Sequence, residues 1–328
     1  MRQGGPASSE PARLLSGAGA RIDPMPHSAH PLRRALPLFL IAGLCLTSLD
    51  TTAKWLVRDH ALFLVVWARY AGQMLVVTPY VWHRSGPGFW RTRRLPLQLV
   101  RSSLLLIATF CFFAALRYLP LAEASAILYL APIIIVVLSG PLLGERPNRW
   151  RWATAVTGFI GILVVLRPGS AAFQPAVLLV IATATFTALY FLLTRKLAGE
   201  DKHTTLFYSA LVGTVGLTLF LPWAAIEGLP GPGDGALFLL LGILAGLGHA
   251  FIIGAYQAAP ASLLTPFTYL QMLWATGYGY LIFGQLPDRF SVLGMVVIVA
   301  SGVALAWHER PRAPVLAAAA PEPEIPLI

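Results

Sequence analysis

Three charges stand inside otherwise apolar stretches of this chain, and their types and spacing are the first place to look for chemistry. Asp50 and Lys54 lie four residues apart in LDTTAKWL, and Arg69 follows in VVWARYAG. A charge at the centre of a membrane helix costs at least ~2.5 kcal/mol on the insertion scale, so each needs a reason to be there. On a helix, Asp50 and Lys54 share one face and can form an ion pair. The plain alternative to a gate or substrate contact is a pair that neutralises itself, with Lys54 snorkelling to the nearer membrane face. Arg69 has no acid within four positions. Its partner must therefore come from another helix, with Asp50 the best candidate, or from an anionic substrate, whose carboxylate or phosphate suits the guanidinium fork.

A second group is polar or aromatic. Glu123 follows Pro120 at the start of an apolar run. Near a helix N-terminus an acid is stabilised by unsatisfied N–H groups, which competes with a role in proton or substrate coupling. Tyr129, Tyr190, Gln257, Tyr269, Gln271 and Trp274 lie within or at the ends of apolar segments. Tyr and Trp often anchor helices at membrane interfaces. Tyr129 and Tyr269 stand about seven residues into their segments, some ~10 Å deep at the helical rise, and are assigned to the lining of a cavity. His249, alone in its segment, reads as a packed residue. No metal-ligand spacing such as HExxH occurs.

The elements that must hold these residues follow from composition. Of 328 residues 57% are hydrophobic and 12% charged, with a mean hydropathy of +0.70. A water-soluble domain has roughly a quarter of its residues charged, so this surface faces lipid. The formal charge of +10 sits in short Arg and Lys clusters between apolar runs, without the continuous basic face or reading motif of a nucleic-acid binder. Cys45 and Cys111 are the two cysteines, both in apolar segments, so no disulfide framework is expected.

Ten apolar segments are predicted, near 36–57, 62–82, 97–116, 122–143, 150–166, 175–196, 205–226, 236–257, 262–283 and 290–307. Each is about long enough to cross a ~30 Å hydrocarbon core as a helix. Turn chemistry marks the connections SGPG at 85–88, RPGS at 167–170 and EGLPGPGDG at 227–235. Residues 1–34 and 308–328 are read as disordered tails, with Met25 a candidate start beside Met1. With the N-terminus inside, the inner connections collect most basic residues, among them Arg84, Arg91, Arg93, Arg94, Arg101, Arg146, Arg149 and Arg151. The outer ones keep Arg58, Arg117, Arg167 and Arg289. The positive-inside rule then places both termini in the cytoplasm.

The chain also repeats itself. AALRYLPLAEASAILYLAPIIIVVLSGPLLGERPNRWR from Ala114 returns as GAYQAAPASLLTPFTYLQMLWATGYGYLIFGQLPDRFSV from Gly254. An ungapped shift of 140 residues lays Ala115 on Ala255, Pro120 on Pro260, Tyr129 on Tyr269, Gly144 on Gly284, Pro147 on Pro287 and Arg149 on Arg289. Thr47 falls on Thr187 as well, so the duplication spans the halves. Five crossings per half invert the second half relative to the first. The fold class is thus an all-α membrane protein of ten transmembrane helices in two inverted five-helix repeats, 35–168 and 175–307. In that arrangement Tyr129 and Tyr269 are expected on opposite walls of one cavity. The spacings Gly140/Gly144, Gly242/Gly246 and Gly158/Gly161 are expected to let helices approach closely.

These repeats, the stretch ALRYLPLAEASAILYLAPI followed by GERPNRW, and the first-helix pattern LDTTAKWL resemble the EamA-type members of the drug/metabolite transporter superfamily. The resemblance covers roughly residues 35–307. It implies an inner-membrane carrier or exporter of a small metabolite, working by alternating access around a cavity between the repeats. Members move amino acids, nucleosides, vitamins and drugs, so no substrate is implied. One departure is visible: Ala131-Pro132 is replaced by Gln271-Met272 in the second copy, which would leave any proline hinge one-sided.

The expectation is a secondary transporter of a small polar or amphipathic metabolite, partnered by that substrate and the bilayer and needing no cofactor or metal. Proton coupling, facilitation and exchange stay open, as do import against export and monomer against homodimer. The rival is an intramembrane enzyme acting on a lipid-linked substrate. Such enzymes cluster His, Asp, Glu or Ser at a membrane face, whereas the histidines here fall mostly in tails and loops. No Gly-rich loop ending in GK[ST] is present, so this chain by itself does not drive transport with ATP.

Overall fold

Long apolar runs become helices because lipid offers no partner for backbone N–H and C=O groups, and a helix satisfies them internally. In the computed structural model, which describes residues 31–144, 148–169, 174–197, 199–221, 231–258, 264 and 267–308, the regular elements are helical. They are α1 (Pro31–Asp59), α2 (Leu62–Ser85), α3 (Leu95–Ala115), α4 (Leu121–Leu128), α5 (Leu130–Leu143) and α6 (Arg149–Leu166). After them come α7 (Val177–Lys196), α8 (Lys202–Phe220), α9 (Pro232–Ala258), α10 (Leu270–Phe283) and α11 (Arg289–His308). Among the described residues eight helical stretches are long and apolar enough to cross a membrane, with α4 and α5 together forming one and Arg289–Leu305 of α11 a shorter apolar helix. The predicted tails before residue 31 and after 308, Met25, Arg146 and residues 227–230 of the 227–235 connection lie outside the described residues, as does the side chain of Gln257.

Packing follows the repeat. The most extensive contacts are α1 on α9, α6 on α11, α3 on α7, α2 on α9 and α2 on α8. Replacing each helix by its counterpart in the other half turns α1·α9 into α3·α7, α2·α9 into α3·α8 and α5·α7 into α1·α10, all of which occur. The pairs α2·α8 and α6·α11 map onto themselves. Large apolar side chains such as Leu75, Leu178, Leu219 and Leu281 point outward, as a lipid-facing surface requires.

Several of the repeated residues now have physical reasons. Gly144 and Gly284 both adopt left-handed backbone, at φ 71° and 64°, and cap the C-termini of α5 and α10. Only glycine does this without cost. Gly144 was expected in a helix contact, but a Cβ there would meet nothing within 4 Å; it is a cap. Gly242 and Gly246 do serve close approach. Gly242 lies back to back with Gly72 of α2, and Gly246 against Val76. Gly158 and Gly161 face Ser301, Gly294 and Ile298 of α11.

Asn148 and Asp288, also one repeat apart, are N-caps. Asn148 Oδ1 accepts from the Arg151 amide at 2.9 Å, and Asp288 Oδ1 from the Ser291 amide at 2.8 Å. Asp288 additionally pairs with Arg167 at 2.6 Å. The Ser291 amide first, then its hydroxyl and the Arg167 guanidinium, hold the Asp288 carboxyl below the usual carboxylate range.

The fourth segment, expected unbroken over 122–143, is divided at Tyr129 (φ −66°, ψ 0°). Proline lacks an N–H and clashes with the carbonyl four residues back. Breaking the helix at Tyr129 places Pro132 in the first turn of α5, where neither matters. The second half also turns at Tyr269, without a proline at 272. The interruption is therefore two-sided, although the proline is present in one copy alone.

Two outcomes test this packing. Gly242→Val should lower the melting temperature of the detergent-solubilised protein by overpacking α2, costing ~1–3 kcal/mol, while Gly144→Asn at the open cap should cost less. Asp288→Ala should remove a cap of about 1 kcal/mol. Because the Asp288 carboxyl is depressed in the folded state, its stabilisation is complete above the unfolded value near ~3.9. It is lost as pH falls through the lower folded value, which thermal melts across acid pH would show.

Candidate functional site

The helix α9 sits between α1 and α2. Its Gly248 lies against Leu46 and Cys45 of α1, and its Gly242 against Gly72 of α2. Asp50 is one turn from Leu46, and Arg69 three residues from Gly72, so both charges belong to the helix faces turned to α9. Arg69 is 6% exposed, stacks on the Tyr70 ring with its guanidinium carbon 4.4 Å from the centroid, and leaves Nη1 buried without a hydrogen-bond partner. Asp50 is half-buried, and the opposite charge acting on it is Arg69. Among the described residues no ion pair joins Asp50 to Arg69 or to Lys54. One turn beyond Arg69, Gln73 is fully buried with both amide atoms unpartnered. His249 of α9 directs Nδ1 at the Ala245 carbonyl, 2.8 Å away.

The Asp50–Lys54 pair is not formed. Lys54, 3% exposed, donates to the carbonyls of Leu116 at 2.9 Å and Leu119 at 2.5 Å, and its ammonium stands 5.4 Å from the centre of the Phe283 ring. The Leu116 carbonyl is at the C-cap of α3, where the helix dipole is negative and acceptors lack helical partners, and the Leu119 carbonyl lies in the turn between α3 and α4. The compensation is reciprocal. Arg117 donates from Nε to the Val57 carbonyl at 2.6 Å and from Nη2 to the His60 carbonyl at 2.8 Å, so α1 and α3 cap each other.

Glu123 meets a structural partner too, accepting from the Ser291 hydroxyl at 3.1 Å beside the Arg167–Asp288 pair. Tyr129 and Tyr269 were expected on opposite walls. Instead they stack, with centroids 5.0 Å apart and planes at 21°. The Tyr129 hydroxyl donates to the Thr268 carbonyl at 2.7 Å, and the tip of Tyr269 nests against Gly302. Both helix interruptions lie at these tyrosines, which is what lets the two rings meet.

Tyr190 leads to a residue that sequence reasoning misplaced. Arg101, counted with the inner connection, is 3% exposed in the second turn of α3. It donates to Thr194 Oγ1 at 2.5 Å, the Thr205 carbonyl at 3.2 Å, Ser209 Oγ at 2.9 Å and the Tyr190 hydroxyl at 2.6 Å. Its position inside the predicted 97–116 segment was the available signal. The repeat relates the two places: Asp50 corresponds to Tyr190, Arg69 to Ser209 and Leu241 to Arg101. Each of the two equivalent places thus has a guanidinium, both supplied by the first half, from α2 at one and from α3 at the other.

Gln271 lies against Gly43 of α1, its Cγ 3.4 Å from where a Cβ would stand. Further along α10 the Tyr278 hydroxyl meets Ser48 Oγ at 2.8 Å. Trp274 is 39% exposed. The structure therefore brings Asp50, Arg69 and His249 around α9, and places Lys54, Glu123, Tyr190 and the two stacked tyrosines elsewhere. Among the described residues no group of three or more His, Cys, Asp or Glu could hold a metal ion.

A bundle of apolar helices with an internally exchanged packing pattern and buried opposite charges defines a polytopic membrane protein of transporter type. The EamA-like transporter family matches residues 33–167 and 174–307, and the chain belongs to that family. It is a multi-pass transporter of the inner membrane. The riboflavin transporter of Vibrio cholerae is 30% identical over 281 residues, covering 83% of this chain and 92% of that protein. The S-adenosylmethionine uptake transporter of Rickettsia felis is 28% identical over 275 residues, 83% and 92% of the two chains. The pseudopaline exporter CntI of Pseudomonas aeruginosa is 26% identical over 219 residues, 66% and 76%. A solved crystal structure shares the fold with a TM-score of 0.61 at 22% identity, over 83% of this chain and 96% of its own.

If Lys54 caps α3 and does not pair with Asp50, Lys54→Met leaves two buried carbonyls without a donor and should cost ~1–3 kcal/mol. Combined with Asp50→Asn, the effects on thermal stability should add within ~0.5 kcal/mol; a larger coupling in the double-mutant cycle would restore the ion pair.

Proposed function

We propose that the chain is a secondary carrier of a small polar or amphipathic metabolite, working by alternating access of two inverted five-helix repeats, residues 35–168 and 175–307. The observation that carries this reading is the pair Asp50 and Arg69, held at the faces of α1 and α2 next to α9 and not closed on each other. Charges kept inside a bilayer without mutual neutralisation are costly, and substrate contact is the return on that cost. Contacts that exchange between the halves support a two-fold arrangement, and with it ten crossings and both termini in the cytoplasm.

Arg101 and Tyr190, at the counterpart place, tie α3 to α7 and α8 and act as an inner closure. Of the residues named from the sequence, Asp50 and Arg69 contact substrate, Gln257, Gln271 and Trp274 line its path, and Tyr129 with Tyr269 forms the hinge at which the broken helices cross. Lys54 and Glu123 hold the outer ends. The relatives' names include an uptake transporter and an exporter, so direction is set by gradients or coupling and not by the fold. A proton carried on Asp50 is the coupling mode to test first.

Reconstituted in liposomes, the protein should exchange labelled riboflavin, amino acids or nucleosides above empty vesicles, with a pH gradient accelerating transport if protons couple. Arg69→Ala and Asp50→Asn should each abolish transport while the protein still inserts and melts cooperatively. Wild-type rates in both variants would move the site away from α9.

A further inference from the structure

We propose that the groove between α6 and α11 is a lipid site, taking one acyl chain of an anionic phospholipid and holding its phosphodiester at Arg149. The two helices touch closely where Gly161 meets Gly294 and Ile298. Toward the N-terminus of α6 and the C-terminus of α11 a groove of about 720 Å³ opens between them, with Ala153 and Thr157 on one wall and Ala300 and Ala304 on the other. Its lining along α11 runs from Val297 to His308, ~16 Å at the helical rise, about half of a ~30 Å hydrocarbon core. The groove therefore has the length of one leaflet.

Its mouth is aromatic and cationic. Trp150 and His308 meet there with ring centroids 4.1 Å apart, and Arg149 holds its guanidinium carbon 5.9 Å from the centre of the Trp150 ring. Trp150, Trp152 and Trp307 are all exposed at this end, as indoles are at the level of the head groups. Close to these helix ends the sequence carries Arg146, Arg149, Arg151, Arg310 and Arg312 against Glu145 and Glu309, an excess of positive charge.

The repeat shows what an anion does at such a place. At the opposite end of the same helix pair Arg289 lies 5.0 Å from the Phe290 ring, as Arg149 lies beside Trp150. There the chain supplies a carboxylate itself: Asp288 pairs with Arg167 at 2.6 Å, and Arg167 stands over the same Phe290 ring. At the groove Asn148 occupies the place of Asp288, and its neutral amide brings no charge to the arginines. A phosphodiester from the bilayer meets that need, with oxygens for the guanidinium fork, and basic residues between membrane helices suit anionic head groups. A zwitterionic phospholipid would fill the groove but bring its own cation to the basic mouth. A second copy of the chain in the same orientation would pack about a two-fold axis and set two basic clusters against each other.

The test gives the full chain, purified in detergent, phosphatidylglycerol or phosphatidylcholine with identical acyl chains. Bound lipid is counted by native mass spectrometry and melting is followed in the same mixed micelles. Phosphatidylglycerol should be retained over phosphatidylcholine by roughly fivefold, the preference expected of one basic residue at an anionic head group, and should raise the melting temperature. Arg149→Gln should remove most of that preference, whereas Arg84→Gln, at an exposed cation on α2, should keep it. Ala304→Phe, which fills the groove, should lower occupancy by both lipids, and Ala153→Phe does so from the facing wall should the first variant fail to fold. Equal retention of the two lipids overturns the proposal. So does full retention of phosphatidylglycerol in a folded groove-filled variant, or a lipid-free dimer that Ala304→Phe breaks. Neither readout uses transport, so vesicles that carry nothing count against the carrier reading and leave the lipid site standing.

Discussion

Inside a bilayer no water is at hand to pay for a charge, and this constraint organises the molecule. Each cation that enters an apolar segment is answered by protein acceptors, and the answer ties helices together. Lys54 and Arg117 bind each other's helix ends, so the C-terminal ends of α1 and α3 are joined by four hydrogen bonds to main-chain carbonyls. Arg101 does the same for α3, α7 and α8 with neutral oxygens. Neutral acceptors suit a buried cation here, because a second buried charge would bring its own desolvation cost. Against these saturated cations Arg69 is the exception, its Nη1 buried without a hydrogen-bond partner.

The two halves pack alike but are not chemically alike. Exchange of helix contacts is complete for the main pairs, and the caps Gly144 and Gly284, or Asn148 and Asp288, occupy equivalent places. The guanidinium, in contrast, comes from α2 at one of the equivalent places and from α3 at the other, both in the first half. A duplicated framework therefore holds two polar stations of different character, one left open and one closed by its own protein partners. Polar ties cross between the halves at both ends: Arg94 to the Lys196 carbonyl and Thr92 to Glu200 at one, His60 to Asp234 and Arg167 to Asp288 at the other.

Much of this was legible in the sequence. Segment length against hydrocarbon thickness marked the helices, and the repeat paired residues whose backbone duties prove identical. That Arg69 would need a partner from outside its own helix followed from charge in an apolar run, but among the described residues no ion pair joins it to Asp50. What escaped has a common cause. Lys54 went to carbonyls at the end of α3, and a main-chain acceptor has no signature in residue types. Arg101 was assigned to a connection because its partners Thr194, Thr205 and Ser209 are ordinary hydroxyl and backbone groups on distant helices. The tyrosines were placed apart because a pseudo-two-fold relation states equivalence and not distance.

By itself the sequence determined the lipid-facing composition, the helices, their duplication and the charges that need an explanation, since these depend on local periodicity and on the cost of leaving water. Only the tertiary structure decided which charge meets which partner. That depends on which helices are neighbours and on their register along one another. Both are set here by glycine contacts such as Gly72 with Gly242 and by the helix breaks at Tyr129 and Tyr269.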